Sequence, residues 1–225
     1  MTHPHPGLIA VLGGSGELGG ALARFLARQG VEIVIGSRDP ARAVAAASAA
    51  AAEIPGSRLR GTTLQDAAAS GELVALAVPY AAHAATLDAV RSAVQGKIFL
   101  DTTVPLRTPK VMRVQLPAAG SAAVEAQQML GDGVRVVSAL QNIAASHLAL
   151  GTLPDCDVLV TGDNEAARQT VVDLLQGGGL RAWHAGPLAN SAAAEALTSV
   201  LIFMNRRYQF SGAGIRVTDG QAHRP

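Results

Sequence analysis

LIAVLGGSGELGGALARFLARQG, residues 8–30, sets a strand, a glycine-rich turn and a helix in immediate succession. Leu8 to Leu12 is an unbroken apolar run, the pattern of a parallel strand buried on both faces. From Leu18 to Ala27 the apolar residues recur at helical spacing instead. Between the two, Gly14, Gly16 and Gly19 satisfy G-x-G-x-x-G, with Ser15, Glu17 and Leu18 in the intervening places. At a strand-to-helix junction Gly14 lets the chain turn, Gly16 lets the backbone approach a pyrophosphate, and Gly19 lets the helix sit close to the strand. Phosphates would rest on the free amides of the helix N-terminus, where the macrodipole favours negative charge. A second apolar strand, Val31 to Ile35, completes the unit, so the turn is read as a dinucleotide site and not as an ordinary tight turn.

The second strand runs into Gly36, Ser37, Arg38, Asp39 and Pro40. An NAD site usually places a carboxylate at the end of this strand for the ribose hydroxyls, and this chain has Gly36 there. Ser37 and Arg38, with Arg42 one helical turn further on, offer hydrogen bonds and positive charge to a 2′-phosphate, which favours NADP. The alternative is that both arginines are solvated surface groups and Asp39 simply caps the helix that begins at Pro40.

A chain of 225 residues can bury a sizeable core. Hydrophobic residues make up 49% of it but aromatics only 3%, so that core must be built of Ala, Val, Leu and Ile, as in helices covering a parallel sheet. A net charge of +1 without a basic stripe gives no reason to expect nucleic acid as a partner. The single cysteine, Cys156, has no partner for an internal disulfide and points to a cytoplasmic, reducing setting. No segment has the signature of a signal peptide or a membrane span, and no Cys, His and carboxylate cluster has metal-ligand spacing.

Further strands are expected at Leu59–Thr63, Leu73–Val78, Lys97–Leu100 and Val134–Val137, with helices between them. The ends of the later strands face the cleft at the switch point of such a sheet. That places Val78, Pro79, Tyr80 and His83 near the nucleotide, followed by Asp101, Thr102 and Thr103. His83 is either a phosphate or ribose donor or a plain surface or capping group, and Asp101 either a catalytic group or a brace for its own loop. Ser138 and Ala139 are small enough for a flat ring to approach the backbone. Pro109–Gly120 reads as a long irregular loop of the kind that closes over sites. Beyond Gly151 come a strand at Asp157–Thr161, a helix at Asn164–Leu175, a strand at Leu180–Trp183, a long apolar helix at Ala189–Tyr208 and a short strand at Ile215–Val217. The expected fold is therefore α/β, a Rossmann-type doubly wound parallel sheet over 7–139 with a small C-terminal α/β substrate and dimerisation domain over 140–218. Residues 1–6 and 219–225 are read as flexible ends.

Taken together, GGSGELGGALA, IGSRDP, LAVPYAAHAATL, FLDTTVPL, VVSALQNIAASHL, DVLVTGD and EALTSVLIFMNRRYQFSGAGIRVT resemble the NADPH-dependent reductases of coenzyme F-420, the 8-hydroxy-5-deazaflavin. The resemblance runs from about Leu8 to Thr218. It implies a homodimer in which the long C-terminal helix takes part, NADP(H) on the glycine-rich turn, and the deazaflavin ring stacked on the nicotinamide. Carried over by position, Gly14, Ser15, Gly16, Glu17, Leu18 and Gly19 match the pyrophosphate turn, and Ser37, Arg38 and Arg42 the 2′-phosphate site. Val78, Pro79, His83, Thr103 and Ala139 match cleft positions near the nucleotide. Gln141 and Thr198 match deazaflavin positions, and Ile143 the residue that buttresses the stacked rings. There is one departure: some members carry a cation and a serine where this chain has Ala192 and Ala196.

Hydride transfer between stacked rings needs placement and exclusion of water, not a nucleophile or a metal, so no catalytic side chain is expected. Two other readings share the scaffold. One is an NADPH-dependent reductase of a flavin, quinone, imine or small carbonyl compound, with His83, Tyr80 or Asp101 supplying a proton. The other is a regulator that binds NADP and transforms nothing.

Overall fold

The structure is a computed structural model that describes residues 6–149 and 155–219. The ends expected to be flexible fall outside the described residues, except for Pro6 and Asp219. In chain order the elements are β1 (Leu8–Leu12), α1 (Glu17–Ala27), β2 (Glu32–Ser37), α2 (Pro40–Glu53), β3 (Leu59–Thr63), α3 (Leu64–Ser70), β4 (Leu73–Leu76) and α4 (Tyr80–Val90). Then follow β5 (Ile98–Asp101), α5 (Ala122–Leu130), β6 (Arg135–Ser138), α6 (Ala145–Ala149), β7 (Asp157–Gly162), α7 (Glu165–Gly177), β8 (Arg181–His184), a 3-10 turn (Leu188–Asn190) and α8 (Ser191–Tyr208).

The strands form one sheet in the order β3-β2-β1-β4-β5-β6-β7-β8. Pairing is parallel from β3 to β6, antiparallel between β6 and β7, and parallel again between β7 and β8. Because side chains alternate along a strand, Ile9 and Val11 of β1 face one core while Ala10 and Leu12 face the other. The first core takes in α1, α2 and α7, and the second α3, α4 and α5, so helices cover both faces. Leu22 and Leu26 of α1 are fully buried, each worth about 1.5–3 kcal/mol, which fixes the helix to the sheet. In α2 the alanines at 43, 47 and 50 are the buried ones, so this helix packs through methyl groups. A β-carbon on Gly61 of β3 would collide with its backbone at Ala43 and Val44.

Several boundaries differ from those read in the sequence. β4 stops at Leu76 and α4 already begins at Tyr80, because Pro79, with φ fixed near that of a helix start, turns the chain there. β5 extends to Asp101, which pairs opposite Leu76. Ile215–Val217 is not a strand: its backbone meets β7 through Asp157 N–H donating to the Ile215 carbonyl (2.8 Å), and the Val217 amide goes instead to the Asp157 carboxylate. The segment after residue 139 continues the same sheet through β7. The first core holds Phe25 and Leu26 together with Val158, Val160 and Leu175, so the two segments share apolar contacts.

Candidate functional site

The strand order reverses at β1, between β2 and β4, and a cavity of about 510 Å³ opens at that point. Gly13, Ser15 and Gly16 form its floor, Ser37, Arg38, Asp39 and Arg42 one end, and Ala77, Val78, Pro79, Ala82 and Thr86 the other side. The glycines are required by space. A β-carbon on Gly14 would lie 2.9 Å from Ile35, and one on Gly19 would lie 2.8 Å from Gly14 Cα and strike the Gly13 carbonyl. Gly13 itself has φ of +84°. Gly16 caps α1 without a side-chain bond, which leaves the first amides of the helix available to an anion. Glu17 is exposed in that first turn, and Leu18 packs on the core beneath it.

At the far end Ser37 Oγ accepts from the Asp39 amide (3.2 Å), so its proton is free to donate outward. Asp39 accepts from the amides of Ala41 (3.0 Å) and Arg42 (3.4 Å), which caps α2. Arg38 and Arg42 are exposed and make no ion pair among the described residues. The place where an NAD site keeps its carboxylate is closed: any side chain at Gly36 would begin 2.8 Å from both Ala67 and Leu12.

His83 lies outside this cavity. It is not a surface group, since it is 1% exposed, and its Nε2 lies 2.7 Å from Asp101 Oδ2. Burial pulls its pKa down, but the bond to Asp101 and that carboxylate's charge, helped by Glu125 and Glu195, outweigh it and hold the imidazole above its ordinary value. The other Asp101 oxygen accepts from the Thr103 amide (2.8 Å), so Asp101 braces its own loop as well. Tyr80 donates to Glu125 (2.9 Å), and burial together with that bond makes its phenol a weaker acid than usual. Tyr80, His83, Ala84, Glu125, Gln128 and Met129 line a second cavity between α4 and α5, apart from the first.

Thr103, Ala139, Gln141 and Ile143 are buried, and Thr198 partly so, around the turn that follows β6. Here Leu140 is held at φ +75°, a conformation that costs a branched or bulky residue energy and persists only where its neighbours enforce it. Gln141 Nε2 donates to the Asp101 carbonyl (2.9 Å) and Ser138 Oγ (2.8 Å). Asn142 donates to the Asp157 carbonyl (2.6 Å), and Thr198 of α8 donates to the Gln141 carbonyl (2.7 Å). Thr103 Oγ1 and Gln141 Oε1 are buried without a partner among the described residues. Such groups are costly unless something bonds them.

One buried group had no counterpart in the sequence reading. Glu195 of α8 is 1% exposed and accepts from the amides of Ala122 (2.7 Å) and Ala123 (3.1 Å) at the start of α5. Burial raises its pKa to about 7 against the pull of those two amides. The signal available in the sequence was spacing: Ser191, Glu195, Thr198 and Ser199 repeat at helical intervals along one stripe of α8.

A family model described as NADP oxidoreductase coenzyme F420-dependent matches residues 8–105. The F420-dependent NADP reductase of Methanothermobacter marburgensis is 40% identical over 94% of this chain and 98% of its own length. That of Methanocaldococcus jannaschii is 39% identical over the same shares. Among solved structures, one from an Arthrobacter species, provisionally named an F420-dependent NADP reductase, superposes with a TM-score of 0.81 at 29% identity, covering 93% of this chain and 98% of that one.

Proposed function

The chain belongs to the F420-dependent NADP reductase family, and from that premise we propose that it moves a hydride between NADP(H) and the deazaflavin coenzyme F420. The observation that carries the nucleotide half is the cavity at the end of β1, with open helix amides at one end and, at the other, two guanidiniums that make no ion pair among the described residues. Gly14, Ser15, Gly16 and Gly19 shape the floor for the pyrophosphate. Ser37, Arg38 and Arg42 meet the 2′-phosphate, and the crowding at Gly36 keeps a competing carboxylate out. Val78 and Pro79 flank the path toward the nicotinamide. Bound there, reduced nicotinamide would supply a hydride, and the deazaflavin would accept it together with one proton.

The residues around the turn after β6 serve the second half. Ala139 leaves room for a flat ring, Ile143 backs it, and Thr198 holds the Gln141 carbonyl in place. Thr103 Oγ1 and Gln141 Oε1 are unpartnered polar atoms of the sort that ring N–H and carbonyl groups satisfy. The task of these side chains is to hold the two reacting carbons about 3–3.5 Å apart with water excluded. His83, Tyr80 and Asp101 are engaged with one another's neighbours and line no part of the nucleotide cavity, so no side-chain acid is assigned.

The outer face of α8 exposes Val200, Phe203 and Tyr208, with Phe210 just beyond. We assign this face to a homodimer seam, which sedimentation would report as twice the monomer mass. No described helix is long and apolar enough to cross a membrane, and the free Cys156 favours a cytoplasmic setting. An acceptor panel tests the activity. With NADPH as donor, deazaflavin is expected to bleach in step with NADPH oxidation, at least about 100-fold faster than flavin, quinone or imine acceptors. Turnover confined to those other acceptors would refute the assignment.

A further inference from the structure

The apolar helix α8 buries a polar stripe. Ser191 donates to Ser121 (2.7 Å), Glu195 takes two amides of α5, Thr198 donates to the Gln141 carbonyl, and Ser199 donates to the Arg113 carbonyl (3.2 Å) in the long loop before α5. Four side chains of one helix thus fasten to three separate stretches of the chain, at Arg113, at Ser121–Ala123 and at Gln141. Three of these bonds are between neutral groups. Glu195 is the exception, being a carboxyl group buried at the helix junction with no lysine or arginine bonded to it among the described residues.

We infer that Glu195 is a positioning residue: through its bonds to Ala122 and Ala123 it governs how firmly α8, and with it Thr198, is held against the turn at Gln141. The inference rests on the proposed function only in taking that turn as part of the acceptor side. The direction of control follows from burial. An ionised carboxyl loses its hydration when α8 is docked and regains it when α8 lifts, so ionisation favours lifting; a neutral carboxyl pays no such cost. The charged groups that face Glu195 do not reverse this. Asp101 at the end of β5 repels the charge, while His83 on α4 attracts it but is already bonded to Asp101. Of the other carboxylates on elements packed against α8, Glu125 of α5 is bonded by Tyr80 and Asp157 of β7 is paired with Arg181 (2.7 Å). Docking is therefore firmest below neutral pH and loosens as Glu195 ionises. With a value of about 7 when docked and 4.5 when free, the lifted population grows about tenfold between roughly pH 6 and pH 8 and then levels off.

Amide hydrogen exchange on the full-length protein tests this without any substrate. In the wild type, protection of the Ala122 and Ala123 amides is expected to fall about tenfold over that range. In Glu195→Gln, which keeps one acceptor oxygen and cannot ionise, it should stay high and flat. In parallel, the KM for the deazaflavin should rise several-fold with pH in the wild type and not in the variant, while NADPH affinity measured by fluorescence stays unchanged in both. Protection independent of pH in the wild type, or a variant that keeps the wild-type pH dependence, would overturn the inference. An absence of deazaflavin turnover would instead refute the proposed function and leave the exchange result to decide this question.

Discussion

The two halves of the proposed site are built by different means. The nucleotide half is an open cradle made by neighbours in sequence: Gly13, Ser15 and Gly16 form its floor, and Ser37 to Arg42 its far end. The acceptor half is a buried knot whose bonds join residues 40, 57 and 72 to 73 positions apart. In the cradle, backbone amides and guanidiniums line the cavity, whereas in the knot most polar groups are bonded within the protein, Thr103 Oγ1, Gln141 Oε1 and Asn142 Oδ1 excepted. Changes to the cradle should therefore act on coenzyme binding, and changes to the knot on stability and on the second substrate.

The largest effect should come from Gly19→Ala. Its methyl group has no room against the Gly13–Gly14 backbone, so α1 must shift and the open amides with it. Because the obstructing atoms are backbone, the cost lies at the upper end of the about 1–3 kcal/mol of overpacking, and NADPH affinity should drop about 100-fold in a fluorescence titration. Retained affinity would show that the turn tolerates displacement and that the cradle is less exacting than its geometry.

Next comes the charge at the far end. Replacing both Arg38 and Arg42 with Ala removes two charge-assisted bonds worth about 1.5–3 kcal/mol each, so NADPH should bind ~100-fold more weakly or worse. NADH binding should stay within about twofold, since it has no phosphate to lose. Equal weakening of both would place the arginines elsewhere in the mechanism.

On the side of the knot the prediction concerns pH. Glu195 has a folded value raised from 4.5 to about 7, so the stability it allows is full below the lower value and is lost as pH rises through the upper one. His83 is also raised, from 6.5, so its bond to Asp101 contributes fully below 6.5 and is lost as pH climbs through the folded value. Both act in the same direction. Between roughly pH 6 and 8 Glu195 alone should remove about 1.4 kcal/mol, or about 3–6 °C in Tm, and His83 should add to it. Calorimetry showing a Tm that rises with pH across this range would contradict both placements.

The smallest effect is expected from Thr198→Val, which deletes one neutral bond of about 0.5–1.5 kcal/mol. The KM for the deazaflavin should rise about three- to tenfold with NADPH affinity untouched. A change in NADPH affinity instead would join the two halves more tightly than the geometry does.

The same contrast explains how much could be read in advance. The turn from Gly13 to Gly19 and the basic run after β2 were legible because each depends on residues adjacent in the chain, with glycine and proline marking the corners. The parallel order of the sheet follows from that unit. The course of β7 was not legible: an Asp157–Thr161 strand has the same apolar pattern whether it pairs parallel or antiparallel, so its attachment to β6 could not be read from it. The bond between His83 and Asp101 was not legible for a similar reason. A histidine near a helix start looks like a surface group until a carboxylate 18 residues on is brought to 2.7 Å. The role of Glu195 was not legible because its partners are backbone amides, which carry no mark in a sequence.

Single-turnover transfer from NADPH to oxidised deazaflavin, run against the same experiment with NADH, bears most directly on the assignment. The expected result is bleaching of the deazaflavin matched mole for mole by loss of NADPH, with NADH slower by about 100-fold at equal subsaturating concentration. No bleaching with either nucleotide, or equal rates with both, would contradict it.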